Sequence, residues 1–131
     1  MNDIVLVVFP GMIILIALTS DFFKFLKWRL RKRYEELAER ATDDTRPYSF
    51  YTQTFRDSSV QAIIGMGISV LPFIFRDLDE AKGGVHWQMI TVSQILYNND
   101  LPPVEIPEEF RGDVPVMERI YVEYGRKHGW I

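Results

Sequence analysis

The sequence contains no cysteine, and that absence removes several kinds of site at once. Disulfides, thiolate zinc sites and cysteine nucleophiles all require the thiol, and a cysteine-free chain suits a reducing cytosol. Histidine is nearly as scarce, because His86 and His128 are the only two. They lie far apart, and neither has a carboxylate three or four positions later to complete a metal site. The sequence therefore predicts neither a metal nor a cofactor.

The usual catalytic motifs are also missing. Gly65-Met66-Gly67 lacks the third glycine of a dinucleotide-binding loop and follows no predicted strand. Gly67–Leu71 lacks the closing glycine of a nucleophile elbow, and helix capping explains its Ser69 better. A general base at His86 would need a partner and a pocket, so we expect His86 to cap or orient a helix while Trp87 fills the core. We expect a protein that is not an enzyme.

Charge is distributed unevenly along the chain. Residues 1–33 hold six basic and two acidic residues, for a net charge of +4, so the remaining residues carry −7. Nucleic-acid binding usually needs bases spread over a face, and we exclude it here. A positive collar is typical of the segment on the cytoplasmic side of a membrane span.

The chain has one long hydrophobic run, Ile4–Leu18, which carries no charge. As a helix it is near the lower limit for a hydrocarbon core of roughly 30 Å. Aromatic and basic residues of the kind found at headgroup depth follow it directly. The predicted membrane-interface residues are Phe22, Phe23, Lys24, Phe25, Lys27, Trp28 and Arg29.

Three interpretations of this run compete. A signal peptide would carry its charges before the apolar segment, and no convincing cleavage site follows it. A buried core helix is possible because the run is short and Pro10-Gly11 would kink it. A single-span anchor over residues 1–28, with the N-terminus outside and residues 29–131 forming a cytoplasmic helical domain, explains the run, the aromatics and the bases together. Asp21 is tolerable only at the interface.

The remainder is predicted to be helical, with four or five helices in all and no sheet. The spacing predicts helices over residues 28–41, 60–66, 70–81, 86–96 and 116–124, and the last of these is expected to end at Gly125 or Gly129. The first has an inward stripe through Leu30, Tyr34, Leu37 and Ala41. Ser69 is the expected cap of the 70–81 helix, with Pro72 in its first turn.

The structure of three connecting segments is predicted separately. We expect Tyr48–Phe55 to be a loop whose aromatics pack down, because a lone strand there has nothing to pair with. Prolines and acids in Tyr97–Gly112 predict an extended, solvated connection. The alternative is that its carboxylates bind a cation or a basic partner. Arg111-Gly112-Asp113 is better explained as a turn and a helix cap than as an adhesion tripeptide.

Two resemblances rest on particular residues. Ile63 to Leu78, with Gly67 between two helices and Pro72 opening the second, resembles one helix pair of the HEAT-like solenoids. More broadly, residues 37–131 resemble a family of short, uncharacterised bacterial proteins. The shared residues are this helix pair, His86-Trp87, Arg111-Gly112-Asp113, Met117, Tyr124-Gly125 and Gly129-Trp130.

The chain departs from that family pattern at several points. Val122 and Tyr124 stand where the family tends to have tryptophan, Leu96–Asn99 replaces a tighter turn, and the apolar N-terminal segment is not shared. The resemblance implies a fold and no activity. The expected core of the helix pair is Ile64, Met66, Gly67, Leu71, Pro72, Leu78 and Trp87.

The fold class that follows is all-α: an apolar N-terminal helix, transmembrane in the preferred interpretation, and a small helical bundle with a HEAT-like pair. The expected function is a non-catalytic, membrane-tethered protein-interaction module at the inner (plasma) membrane. A single helix pair is too short to bury its faces, so it would complete its core with a protein partner or a second copy. The alternatives are an immunity- or antitoxin-like accessory protein that binds a neighbouring partner, and a cytoplasmic protein with Ile4–Leu18 buried.

Overall fold

The computed structural model describes residues 10–48 and 51–131, with side chains from Ser20 onward. Within these ranges the chain is all-helical and has no strand, as the sequence predicts. It has six α-helices and two short 3₁₀ turns, Gly67–Val70 and Glu108–Phe110. The helices are α1 (Pro10–Thr45), α2 (Tyr51–Arg56), α3 (Ser58–Gly65), α4 (Leu71–Asp79), α5 (Val85–Asn98) and α6 (Val114–Lys127).

The chain divides into two compact units, residues 1–33 and residues 34–131. Ile4–Phe9 lie outside the described residues, and the side chains of the rest of the predicted anchor, through Leu18, lie outside them as well. Among the described residues no single helix is long and apolar enough to cross a membrane. Ser58–Gly65 and Gly67–Asp79 meet that criterion only as a pair, and the pair is bent by 107°.

The inward stripe predicted for the first helix is confirmed where α1 enters the second unit. Tyr34, Leu37 and Ala41 are all buried. The helix continues past the predicted end at Ala41 to Thr45. The hydroxyl of Thr45 donates to the Ala41 carbonyl at 2.7 Å, which satisfies this polar group inside the last turn.

The prediction of a packed loop at Tyr48–Phe55 is wrong. Most of this segment forms helix α2, and the Tyr51 side chain is 58% exposed. Tyr51 and Phe55 are four residues apart and their rings stack at 5.9 Å between centroids. An aromatic pair at this spacing lies on one helix face, which favours a helical turn over the weak alternation seen in the sequence.

The second and third predicted helices are present, but their boundaries differ. Asp57 caps α3 by accepting from the backbone N–H groups of Ser59 and Val60. Gly67 has a φ of +76°, as expected of a glycine that ends a helix. Ser69 does not cap α4, because its hydroxyl donates to the Met66 carbonyl at 3.0 Å within the 3₁₀ turn. Pro72 lies in the first turn of α4, as predicted.

Helix α5 is the centre of the second unit. It contacts α2, α3, α4 and α6. Trp87 is completely buried on it, as predicted, and Val92 and Ile95 are too. The expected capping role of His86 is wrong, since no side chain caps α5 and His86 is exposed. Contact with four neighbours explains why α5 is apolar on more than one side.

The last helix begins at the predicted cap and ends before Gly129, the second of its two predicted ends. Gly112 supplies a turn at φ +90° and Asp113 accepts from the Val116 N–H. The helix continues through Gly125, which is buried rather than terminal, and Gly129 has a φ of +80°. The side chains that α6 buries are Tyr121 and Val122.

Burial divides the predicted helix-pair core into two groups. Ile64, Leu71, Leu78 and Trp87 are buried. Met66, Gly67 and Pro72 are only half-buried, because they belong to or adjoin the 3₁₀ turn between α3 and α4. The likeness to a HEAT-like pair stays a prediction.

Candidate functional site

Two surfaces stand out, and the first is the stretch Phe22–Arg33 of α1, here called the aromatic-basic band. It contains six basic residues and no acidic one. Its large apolar side chains face solvent: Phe23 is 64% exposed and Trp28 is 55% exposed. Phe22, Phe25 and Leu26 are exposed as well. A run of exposed aromatics of this density usually marks an interaction site.

Cations and aromatic rings alternate within the band. The Arg29 guanidinium lies 6.0 Å from the centre of the Phe25 ring, and the Lys32 ammonium lies 5.8 Å from the Trp28 ring. Phe25 and Trp28 also stack at 6.2 Å. Arg29 and Lys32 therefore each lie beside an aromatic ring, and both rings remain accessible to a lipid or a partner.

Most of the large aromatic residues of the band lie on one side of the helix. At about 100° per residue, Phe22, Phe25 and Trp28 follow one another at three-residue spacing over about 120°, whereas Phe23 points about 100° away from Phe22. Lys24 and Lys27 lie on the remaining side. The apolar residues that follow from Tyr34 onward form a stripe that the second unit buries. An aromatic face beside a basic face is typical of a helix at a membrane interface.

The second surface is a cavity of about 710 Å³ in the second unit. Its wall combines the end of α1, helix α2, the turn before α5, the first half of α5, and α6. Its lining residues include Thr42, Thr45, Arg46, His86, Trp87, Met89, Ile90, Ser93, Met117 and Tyr121.

Trp87 is positioned by one side-chain hydrogen bond and by the glycine turn before it. Its indole N–H donates to the Thr42 hydroxyl oxygen at 3.0 Å. A Cβ atom at Gly84 would lie 2.6 Å from the Trp87 ring, so only glycine fits beside the indole. Gly83 has a φ of +84°, which also favours glycine. The Gly83-Gly84 turn thus determines where one wall of the cavity lies.

The polar groups of the cavity are mostly paired hydroxyls. The Ser93 and Tyr121 hydroxyl oxygens lie 2.6 Å apart in a hydrogen bond. Burial raises the pKa of Tyr121, while the bond to Ser93 opposes that shift. Tyr121 is therefore a neutral hydrogen-bonding group and not a base that activates Ser93.

No Asp or Glu is among the described residues that line the cavity, so none is present to orient His86 as a base. In the described part of the chain no three His, Cys, Asp or Glu side chains come together in a way that could hold a metal ion. The arrangement is suited to binding, through an apolar wall with a few placed polar groups.

The structure brings some predicted site residues together and leaves others apart. The predicted interface residues Phe22–Arg29 share the band, and Trp87 is part of the cavity wall. The cavity itself was not predicted. The available signal was Ser93, a polar residue among the apolar residues of α5, together with the threonines that end α1. No family model, curated protein or solved structure matches the chain.

Proposed function

We propose that the protein is a non-catalytic helical binding module tethered to a membrane through its N-terminal segment. The observation that carries the proposal is the exposure of the aromatic-basic band. Phe23 and Trp28 each leave more than half of their surface in water, beside the basic residues of the band. Transfer of such aromatic surface into a lipid interface is favourable by about 25 cal/mol per Å².

The bases of the band support an anionic lipid surface as its partner. Basic residues close to an anionic leaflet contribute about 1 kcal/mol each, and this attraction falls off within a Debye length. The rings that the bases overlie sit at the same level of the helix. Insertion of the rings and attraction of the bases therefore reinforce each other at one depth.

The order along the chain sets the proposed orientation. The apolar run Ile4–Leu18 precedes the bases, so the N-terminus would lie outside and the C-terminal domain in the cytoplasm. The acidic C-terminal domain would then dock on a protein partner or a second copy. An immunity-like role for that domain fits its negative charge equally well.

Membrane fractionation tests the proposal. The full chain is compared with a version starting at Lys24 and with the variant Lys24→Gln/Lys27→Gln/Arg29→Gln. The matched control replaces three basic residues of the second unit, Lys82, Arg111 and Lys127, with glutamine.

We expect the full chain and the control to sediment with membranes and to resist extraction by carbonate. The shortened chain should be soluble, and the band variant should bind anionic vesicles more weakly. Equal solubility of the full and shortened chains would overturn the tether and favour Ile4–Leu18 as a buried helix.

A further inference from the structure

The cavity of the second unit has the size of a small-molecule site. Its volume of about 710 Å³ lies within the range of roughly 300–1,000 Å³ over which proteins enclose small ligands. Ile90 and Met117 are half-buried and give the wall accessible apolar surface, whereas Trp87 and Met89, which also line the cavity, are 0% and 5% exposed. Methionine side chains adapt their shape and contact aromatic rings favourably, so this wall suits a flat or branched apolar group.

Part of the polar wall is already hydrogen-bonded within the protein. Thr42 and Thr45 donate to the carbonyls of Ala38 and Ala41, at 2.9 and 2.7 Å. Ser93 and Tyr121 use one of their two hydroxyl hydrogens in the bond between them. The other hydroxyls that line the cavity belong to Tyr48, Tyr51 and Thr54.

The charge of the wall has one sign. Arg46 is the one Lys or Arg among the described lining residues, and no Asp or Glu accompanies it there. Arg46 does contact Asp43 at 3.4 Å, but these two side chains are 73% and 64% exposed. An ion pair so exposed contributes little, so the guanidinium can exchange Asp43 for an anion at the cavity. His86 is the other lining residue that can carry a positive charge.

We propose that the cavity binds a small amphipathic monoanion, an aromatic or branched apolar carboxylate. Its carboxylate lies at Arg46 and its apolar body lies against Ile90 and Met117. This inference does not depend on the membrane tether, because every residue that carries it belongs to the second unit.

The absence of cysteine gives a direct test in the full chain. Ser93→Cys places a single thiol in the cavity wall, and Ser69→Cys places one on the exposed 3₁₀ turn as the reference. Each is treated with an anionic and a cationic methanethiosulfonate reagent, carrying a sulfonate or a trimethylammonium group. The ratio of the two labelling rates reports the electrostatic potential at the thiol.

At Ser93→Cys we expect the anionic reagent to be favoured about fivefold relative to Ser69→Cys. Adding Arg46→Gln should abolish this preference. The matched control, Arg126→Gln, removes an exposed arginine paired with Asp79 outside the cavity and should leave the preference unchanged. If Arg46→Gln leaves the ratio of the two labelling rates unchanged, the assignment of the positive potential to Arg46 is overturned.

Protection of the thiol tests the ligand class. We expect 2-naphthoate to slow the labelling of Ser93→Cys in a saturable manner. Neutral 2-naphthamide should protect the thiol about tenfold less effectively. Arg46→Gln should remove this difference between the two compounds. Equal protection by the two compounds, protection of Ser69→Cys as well, or no protection would each refute the proposal. Should Ser93→Cys fail to fold, Ile90→Cys serves as the reporter from the same wall.

Discussion

Helices α4 and α6 approach each other closely at Gly125 of α6. A Cβ atom there would lie 2.8 Å from Cδ1 and 2.9 Å from Cγ of Phe75 on α4. Phe75 is fully buried, so its ring has no free space to enter. Ordinary carbon contacts are about 3.5–4.0 Å, which means that Gly125→Ala forces the two helices or the ring to move by a large fraction of an ångström.

Gly125→Ala should therefore destabilise the protein. Overpacking of a core typically costs about 1–3 kcal/mol, and the better helix propensity of alanine returns up to about 1 kcal/mol. We expect a net loss of about 1–2 kcal/mol in the free energy of unfolding. The matched control is Gly65→Ala in α3, where nothing lies within 4 Å of the new Cβ atom and the backbone is not left-handed. That variant should gain up to about 1 kcal/mol.

Urea unfolding of both variants, followed by circular dichroism, measures the two changes against the wild type. The expected midpoints move in opposite directions. A Gly125→Ala variant as stable as the wild type would refute the close contact between α4 and α6. Equal destabilisation of both variants would refute the physical reasoning, since Gly65 has no neighbour to clash with.

Three further predictions concern polar groups. Thr42→Val leaves the buried indole N–H of Trp87 without its acceptor and should cost about 1–3 kcal/mol in urea unfolding, whereas Thr42→Ser should cost much less. Asp57→Ala removes an N-cap that accepts two backbone hydrogen bonds, and it should lower the free energy of unfolding by about 1 kcal/mol. Asp113→Ala removes a cap with a single hydrogen bond of 3.4 Å and should cost less. Equal losses in the two variants would contradict the capping geometry. Burial raises the pKa of Asp77, so its contribution to stability is present at low pH and is lost as pH rises through that raised pKa. The stability of Asp77→Asn relative to wild type should therefore improve as pH rises above the usual Asp range near 4, and a pH-independent difference would contradict this.

The sequence predicted those features that depend on neighbouring residues. The stripe at Tyr34, Leu37 and Ala41 follows from the helical repeat, and Asp113 is recognisable as a cap from the helix that follows it. Pro72 is compatible only with a first turn. These elements were correct because their causes lie within one or two helical turns.

Features that depend on distant residues were not predicted. Gly125 looks like a helix end until Phe75, fifty positions earlier, is placed against it. Gly84 is recognisable as a turn residue, but its contact with the Trp87 ring depends on the chain direction after the turn. The cavity requires α1, α2, α5 and α6 to be placed together, and no local pattern specifies its volume.

The central claim is that the aromatic-basic band enters a lipid interface, and Trp28 reports on it directly. Tryptophan emission of the full chain is measured in anionic vesicles whose lipids are brominated either near the headgroup or near the end of the acyl chain. Comparison with Trp28→Phe isolates the Trp28 signal, because the emission of the buried Trp87 and of the half-buried Trp130 is common to both proteins and should cancel. We predict that the Trp28 signal is quenched more strongly by the bromines near the headgroup. Equal emission with and without brominated lipid would contradict the account.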